Sequence, residues 1–268
     1  MMRDRDYEYT GLPVHLHRRF RHGFVFVNPA SGIKKPADLI GKKVAGGSFI
    51  AAANAWLHGL LDEFYGLPQD QVTWIVQGEE DIPFDPAPGM TIERVSKEMD
   101  VEEMLLNGEV GALISPGFPR AFLDGDERIT RIFDDYVTEE RDFYTRTGIF
   151  PIMHTTMIKR EIVEKHPEIA VNLVNAFERS KNLGYQRMSN PRITPLAWWA
   201  EAWEDQIKLL GRDPWEYGMT LANRHNLEII LKYIRQQGLI QRDWTLDALF
   251  EDTGAVDPGD SLSWSDTY

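Results

Sequence analysis

The sequence has no cysteine. That excludes disulfides, thiolate nucleophiles and thiolate metal sites together. No apolar run is long enough to span a membrane, so no membrane partner is expected. Residues 1–10 are charged and lack the apolar stretch of a secretory signal, which makes the cytoplasm the default expectation. Positive charge is also scarce: 29 Lys and Arg stand against 42 Asp and Glu, a net charge of −13. Such a chain repels phosphate backbones, so nucleic acid is not an expected partner. The G-x-S-x-G, P-loop, G-x-G-x-x-G and H-E-x-x-H patterns are all absent.

What remains is ordinary globular composition, 43% hydrophobic over 268 residues. Aromatic and β-branched residues at 24–28 read as a strand, as do 43–47, 72–76, 112–115, 129–133 and 150–158. A helical pattern runs over 49–65, with Ser48 as N-cap and Gly66 as terminator. A short helix is expected at 101–106, and the stretch 78–89 reads as an exposed loop. Beyond 158 the pattern is helical, over 167–188, 195–210 and 220–237, and 254–268 reads as a loose polar tail. Strands alternating with helices imply an α/β fold with a parallel sheet. In such sheets ligands sit at the carboxyl ends of strands, beside helix N-termini. The corners Gly46-Gly47-Ser48 and Ser115-Pro116-Gly117 fit that rule, and fit equally a purely structural turn.

The densest cluster of positive charge is His15-Leu16-His17-Arg18-Arg19-Phe20-Arg21-His22. Arginine offers a planar fork that pairs two-pronged with carboxylates, and histidine exchanges protons near neutral pH. The stretch is either an anion site with a proton donor or a solvated strip on an acidic surface. On a strand His15 and His17 share a face, but a metal site needs further ligands at suitable spacing, and none is evident. His154 lies in an apolar run, where a lone histidine is more often core than catalyst. Trp198, Trp199 and Trp203 recur at helical spacing with Leu196 and Ile207 and are expected in the core. Trp215 and Tyr217 are expected to pack rather than to face a ligand.

Several runs carry a family resemblance. Arg19-Phe20-Arg21-His22, Ser31-Gly32-Ile33, the stretch 36–44, Gly108-Glu109-Val110-Gly111-Ala112-Leu113 and Asp213-Pro214-Trp215-Glu216-Tyr217-Gly218 are similar to 4,5-dihydroxyphthalate decarboxylases. The most specific run is Thr147-Gly148-Ile149-Phe150-Pro151-Ile152-Met153-His154-Thr155. The resemblance implies a two-lobed, type II periplasmic-binding-protein-like α/β fold. Lobe one would be residues 1–41 plus 156–268, helix-rich at its C-terminus, and lobe two residues 42–155. It also implies a small anionic ligand held between the lobes, and that lobe one lacks the family's opening strand–helix–strand unit. Gly46-Gly47-Ser48-Phe49 and the pair His15 and His17 depart from the family pattern.

The implied activity is non-oxidative decarboxylation of a hydroxylated aromatic acid such as 4,5-dihydroxyphthalate, with no cofactor. His154 is the first candidate for proton transfer and His22 the second. Arg19 and Arg21, on one face with Arg18 turned away, are the carboxylate anchors. Ser48 and Ser115 at helix starts are candidate donors to the substrate, and Tyr144, Thr147, Gly148 and Thr155 are further candidate contacts. The expected partner is a small aromatic carboxylate, with an assembly of identical chains compatible with the family. The rival reading is a solute-binding protein that captures a small acid without catalysis. A third, an enzyme of pyrimidine or thiamine precursor synthesis, lacks its expected cysteine-bearing motif here.

Overall fold

The computed structural model describes residues 1, 3–190 and 192–256; the tail expected at 254–268 lies outside them from 257 on. In chain order the strands and helices are β1 (Tyr9–Arg18), β2 (Val25–Val27), β3 (Lys43–Gly46), α1 (Ala52–Tyr65), β4 (Thr73–Gln77) and β5 (Thr91–Val95). There follow α2 (Val101–Leu106), β6 (Ala112–Ile114), α3 (Arg120–Leu123), β7 (Thr130–Arg131), α4 (Tyr136–Thr147) and β8 (Ile152–Lys159). The chain closes with α5 (Arg160–Lys165), α6 (Glu168–Met188), α7 (Trp199–Leu210), α8 (Leu221–Gln236) and α9 (Leu246–Leu249).

The fold is α/β and divides into two compact units. Among the described residues, the first holds Met1, Arg19–Pro151 and Glu228–Asp243, and the second holds residues 3–18, 152–227 and 244–256. The division differs from the one the resemblance implies. Residues 19–41 belong with the 42–151 sheet, because β2 pairs with both β6 and β7 there.

The first unit is built on a six-stranded sheet in the order β5-β4-β3-β6-β2-β7. β5, β4, β3 and β6 run parallel, and β2 runs antiparallel to its neighbours. Alternation of side chains sorts the strands onto two faces. Val44, Trp74, Val76, Ala112 and Ile114 join Leu57 and Leu61 of α1 on one. Ala45, Ile75 and Leu113 join Met104 and Leu105 of α2 on the other. A sheet covered on both faces reads as continuous apolar runs, which is why these strands are legible in the sequence. α1 begins three residues later than expected, with Ala51 and not Ser48 as its N-cap. The 78–89 loop is not wholly exposed: Phe84 stacks on Phe49 at 5.5 Å. Gly238, at φ +77°, lets the same loop approach, and a Cβ there would lie 2.3 Å from the Asp85 carbonyl oxygen.

The second unit is an antiparallel pair, β1 with β8, and helices. Leu12, Val14, Val163, Ala170, Val174 and Tyr217 form its core. The pairing is irregular between Leu12 and His17. Thr10 to His15 are buried without interruption, and the environments of the two histidines differ: His15 is enclosed and His17 half-buried. α6, α7 and α8 fall on the three expected helical stretches, α7 starting four residues late, while α5 and α9 were not expected; α7 has no buried residue, so the tryptophans expected in the core are not there. Trp198 is 78% exposed.

Candidate functional site

The cluster at 15–22 is not a solvated strip. His15, Arg18, Arg21 and His22 are buried, while Leu16 and Arg19 are exposed. Arg18 ends β1 in the second unit. Its guanidinium donates to the Glu216 carbonyl at 3.1 Å and to the Asn223 side chain.

In the first unit the chain turns after β1, with the Phe24 amide donating to the Arg21 carbonyl at 3.0 Å. The turn brings Arg19 and Arg21 to one ring. Their guanidinium carbons lie 5.2 and 5.4 Å from the Phe24 centroid. Phe24 stacks in turn on Phe118 at 5.4 Å and 16°. Arg21, 5% exposed, also donates to the Pro116 carbonyl at 3.3 Å. Burial and then the neighbouring Arg19 charge pull the Arg21 pKa down to about 10, with Glu140 opposing. Two like charges held at one aromatic ring are a strained arrangement that a carboxylate relieves, and guanidinium forks match carboxylate geometry.

Beside the arginines runs a chain of polar groups. His22, 1% exposed, is enclosed by Tyr65, Phe133 and Phe143. Its Nε2 lies 2.8 Å from the Tyr65 hydroxyl, which itself donates to Glu139 at 2.7 Å. Since Tyr65 gives its only proton to Glu139, the Nε2–H of His22 must donate to Tyr65. Nδ1 then carries no proton and faces Glu140 at 3.8 Å. Burial, with the charge of Arg146 second, pushes the His22 pKa down to about 4, so the ring is neutral. Burial also lifts Glu140 to about 7, against the amides of Gly23 and His22 and the charges of Arg131 and Arg19.

At the first strand-to-helix corner the donors are already engaged. The Ser48 hydroxyl donates to Glu80 at 2.6 Å and the Phe49 amide to the same carboxylate at 2.5 Å. An internal carboxylate thus sits where a ligand's was expected. Ser115 is not at a helix start; it follows β6 in a loop, and its amide donates to the Phe24 carbonyl at 3.2 Å. It does line a cavity of about 490 Å³ at the carboxyl ends of β3, β4 and β6, with Gly47, Gln77, Met99 and Pro116. That volume suits a small ligand. Lys97 shares the lining with Glu98, Asp100 and Glu102, and Arg21 is bonded to its Pro116 wall.

The other expected contacts are distributed as follows. Tyr144 on α4 is half-buried and meets Phe20 edge-on at 6.2 Å, and Phe20 stacks on Phe150 at 4.7 Å. Thr147 and Gly148 close α4: the threonine hydroxyl donates to Phe143 at 2.7 Å, and Gly148 takes the left-handed conformation of a helix terminator. In the second unit Thr155 donates to the Leu12 carbonyl at 3.1 Å across the strand irregularity. His154 is exposed on β8 rather than enclosed in core, opposite His17 in the register, and the two rings are 5.2 Å apart. His15 is buried, and desolvation followed by the Arg18 charge lowers its pKa to about 3, against the Gly218 backbone. Among the described residues no group of three or more His, Asp or Glu side chains has metal-binding geometry. No described helix is long and apolar enough to cross a membrane.

Phe24, Phe118, Tyr65, Glu80 and Glu140 were not singled out by the sequence. Phe118, Tyr65, Glu80 and Glu140 lie far along the chain from the partners that give them a role, and Phe24 reads in the sequence only as the start of a strand.

The sequence is 31% identical over 244 residues to the 4,5-dihydroxyphthalate decarboxylase of Comamonas testosteroni, covering 87% of this chain and 73% of that one. The chain belongs to the 4,5-dihydroxyphthalate decarboxylase family. The Pseudomonas putida protein of the same name is 29% identical over 146 residues, which cover 51% of this chain and only 55% of that protein. Among solved structures, the chain is similar to the periplasmic aliphatic sulphonate binding protein SsuA of Escherichia coli, at 16% identity and a TM-score of 0.41. That match covers 88% of this chain and 62% of SsuA, so the chain spans less than two thirds of it. No family model matches the sequence.

Proposed function

We propose that the protein is a non-oxidative decarboxylase of a hydroxylated aromatic acid, with 4,5-dihydroxyphthalate the first substrate to test. The observation that carries the reading is the arginine pair on the Phe24 ring, a fixed double fork for a carboxylate beside an aromatic surface. Membership of the decarboxylase family supports the reaction class. The chemistry needs no cofactor. A ring hydroxyl, deprotonated, pushes electron density to the carbon bearing the carboxylate. That carbon takes a proton, its bond to the carboxylate breaks, and carbon dioxide leaves with the ring restored.

Arg19 and Arg21 hold the carboxylate that stays. The proton donor is His154, whose exposed ring has the His17 imidazole next to it. His22 is second: neutral and enclosed, it acts through Tyr65 and Glu140 rather than by touching substrate. Ser115 and Tyr144 are the remaining proposed contacts, with Ser48 available once Glu80 moves. A cytoplasmic location is proposed with the enzymatic reading.

Capture of a small acid without turnover is the second reading. It is favoured by one observation: the arginine pair alone accounts for anion binding and asks for no proton donor. Incubation with 4,5-dihydroxyphthalate separates the two. Release of carbon dioxide and 3,4-dihydroxybenzoate supports the decarboxylase. Saturable binding without release supports capture, and the absence of both release and binding would remove both readings.

A further inference from the structure

We infer that Glu80 is a built-in competitor for the second carboxylate of an aromatic diacid, and so sets how strongly the chain prefers acids with one carboxylate over acids with two. The inference rests on the site proposed above and concerns its selectivity. A diacid has two anionic groups to place, and the arginine pair takes one. In a parallel sheet the other ready source of donors is a strand-to-helix corner. Gly46 lies opposite Ile114 in the β3–β6 ladder, which sets Gly47-Ser48 beside Ser115-Pro116. Gly47, Ser115 and Pro116 line one cavity, and Arg21 donates to the Pro116 carbonyl at 3.3 Å. The corner therefore adjoins the cavity whose Pro116 wall Arg21 holds.

The donors of that corner are used up by Glu80. One of its oxygens accepts from the Ser48 hydroxyl at 2.6 Å and the other from the Phe49 amide at 2.5 Å. A hydroxyl has one proton to give, and the Ser48 oxygen is itself occupied by the Ala51 amide at 3.2 Å. Two neutral donors thus hold two carboxylate oxygens, the arrangement a ligand carboxylate would take there. Among the described residues no Lys, Arg or His pairs with Glu80. Exchange for a ligand carboxylate keeps both hydrogen bonds and the charge, and Glu80, already half-buried, returns to water. The loop does not depend on the contact. Glu79 accepts from Arg94 at 3.1 Å, Phe84 stacks on Phe49 at 5.5 Å, and the Ala87 amide donates to the Gln237 carbonyl at 3.2 Å. Glu80 leaves by rotating its side chain while the loop stays pinned on both sides.

Selectivity follows. A second carboxylate binds only to molecules whose corner is open, so its apparent affinity is reduced by that fraction. An acid with a single carboxylate, seated on the arginine pair, pays no such penalty.

The test is calorimetric titration of the full chain with phthalate and with benzoate. Neither probe carries the ring hydroxyl that drives decarboxylation, so binding is read without turnover. Glu80→Ala is expected to raise the phthalate affinity about tenfold, as for a corner open in about one molecule in ten, and to leave the benzoate affinity unchanged. Glu80→Gln keeps the side-chain volume but has one accepting oxygen, so its phthalate affinity should fall between those of the wild type and Glu80→Ala. Ser48→Ala added to Glu80→Ala should remove the gain. Equal changes for the two probes, or a gain that survives the loss of the Ser48 hydroxyl, would overturn the inference and leave the arginine anchor standing. The anchor is read separately by Arg19→Ala, which should weaken both probes; affinities untouched by that change would overturn the anchor and not the competition. Failure of the wild type and Glu80→Ala alike to bind phthalate would overturn both.

Discussion

Three buried histidines should make the fold lose stability between pH 7 and pH 5. His15, His22 and His58 are essentially inaccessible. Desolvation, the largest cause for each, lowers their pKa values from 6.5 to about 3, about 4 and about 3. His58 is packed between the rings of Phe49 and Trp74, at 4.4 and 4.0 Å. Each is neutral in the fold and takes a proton on unfolding at any pH below 6.5. The unfolded chain therefore binds more protons there, and stability falls as pH falls, by about 1.4 kcal/mol per pH unit for each ring. At pH 5 the three together forfeit about 6 kcal/mol. Glu140 works the other way. Its folded pKa of about 7 lies above the ordinary 4.5, so the fold takes up a proton first as pH drops through 7. That returns about 3 kcal/mol by pH 5 and leaves a net loss of about 3, a large part of a typical stability of about 5–15 kcal/mol. Urea unfolding at pH 7 and pH 5 measures it: the midpoint should move markedly lower at pH 5. His58→Leu should remove about 2 kcal/mol of the difference. A midpoint unchanged between the two pH values, or a full pH dependence in His58→Leu, would refute the reasoning.

Three further outcomes are expected. Gly59 sits in α1 with its missing Cβ 2.2 Å from the Tyr233 ring, which is itself enclosed and bonded to Glu63 at 2.5 Å. Gly184 in α6 has open space instead. Alanine should therefore stabilise at 184 by up to about 1 kcal/mol, and destabilise at 59 because overpacking of about 1–3 kcal/mol exceeds the helix gain; urea midpoints in the opposite order would show the α1 packing to be misread. Ionisation of Glu140 above about pH 7 places a negative charge among Arg19, Arg21 and Arg131, so affinity for a carboxylate ligand should fall several-fold as pH rises through 7. Calorimetric titration of Glu140→Gln should show that dependence flattened, and a wild-type affinity that is flat across the range would count against Glu140 as its source. His154→Ala should abolish carbon dioxide release while ligand binding persists, and normal release would remove His154 from the reaction.

The sheet of the first unit was legible because it is covered on both faces, and its strands read as apolar runs. β1 was not, because its residues mix buried Leu12 and Val14 with buried His15 and Arg18, a composition that reads as surface. β5 lies at the sheet edge with mostly polar, exposed side chains and gives no strand pattern. The arginine pair was legible as charge in an acidic chain. Its aromatic platform was not, since Phe118 is brought to Phe24 only by the pairing of β2 with β6. The tryptophans of α7 were misread as core because helical spacing reports an apolar stripe and is silent on what covers it.

The central claim is that the arginine pair anchors an aromatic acid that this chain decarboxylates. The direct measurement is carbon dioxide and 3,4-dihydroxybenzoate release from 4,5-dihydroxyphthalate, for the wild type and for Arg19→Ala. Arg19 is exposed, so the variant keeps its fold. A charge-assisted hydrogen bond contributes about 1.5–3 kcal/mol, so the account predicts release by the wild type and a loss of roughly 10- to 100-fold in kcat/KM for the variant. An inactive wild type, or an Arg19→Ala variant as efficient as the wild type, would contradict it.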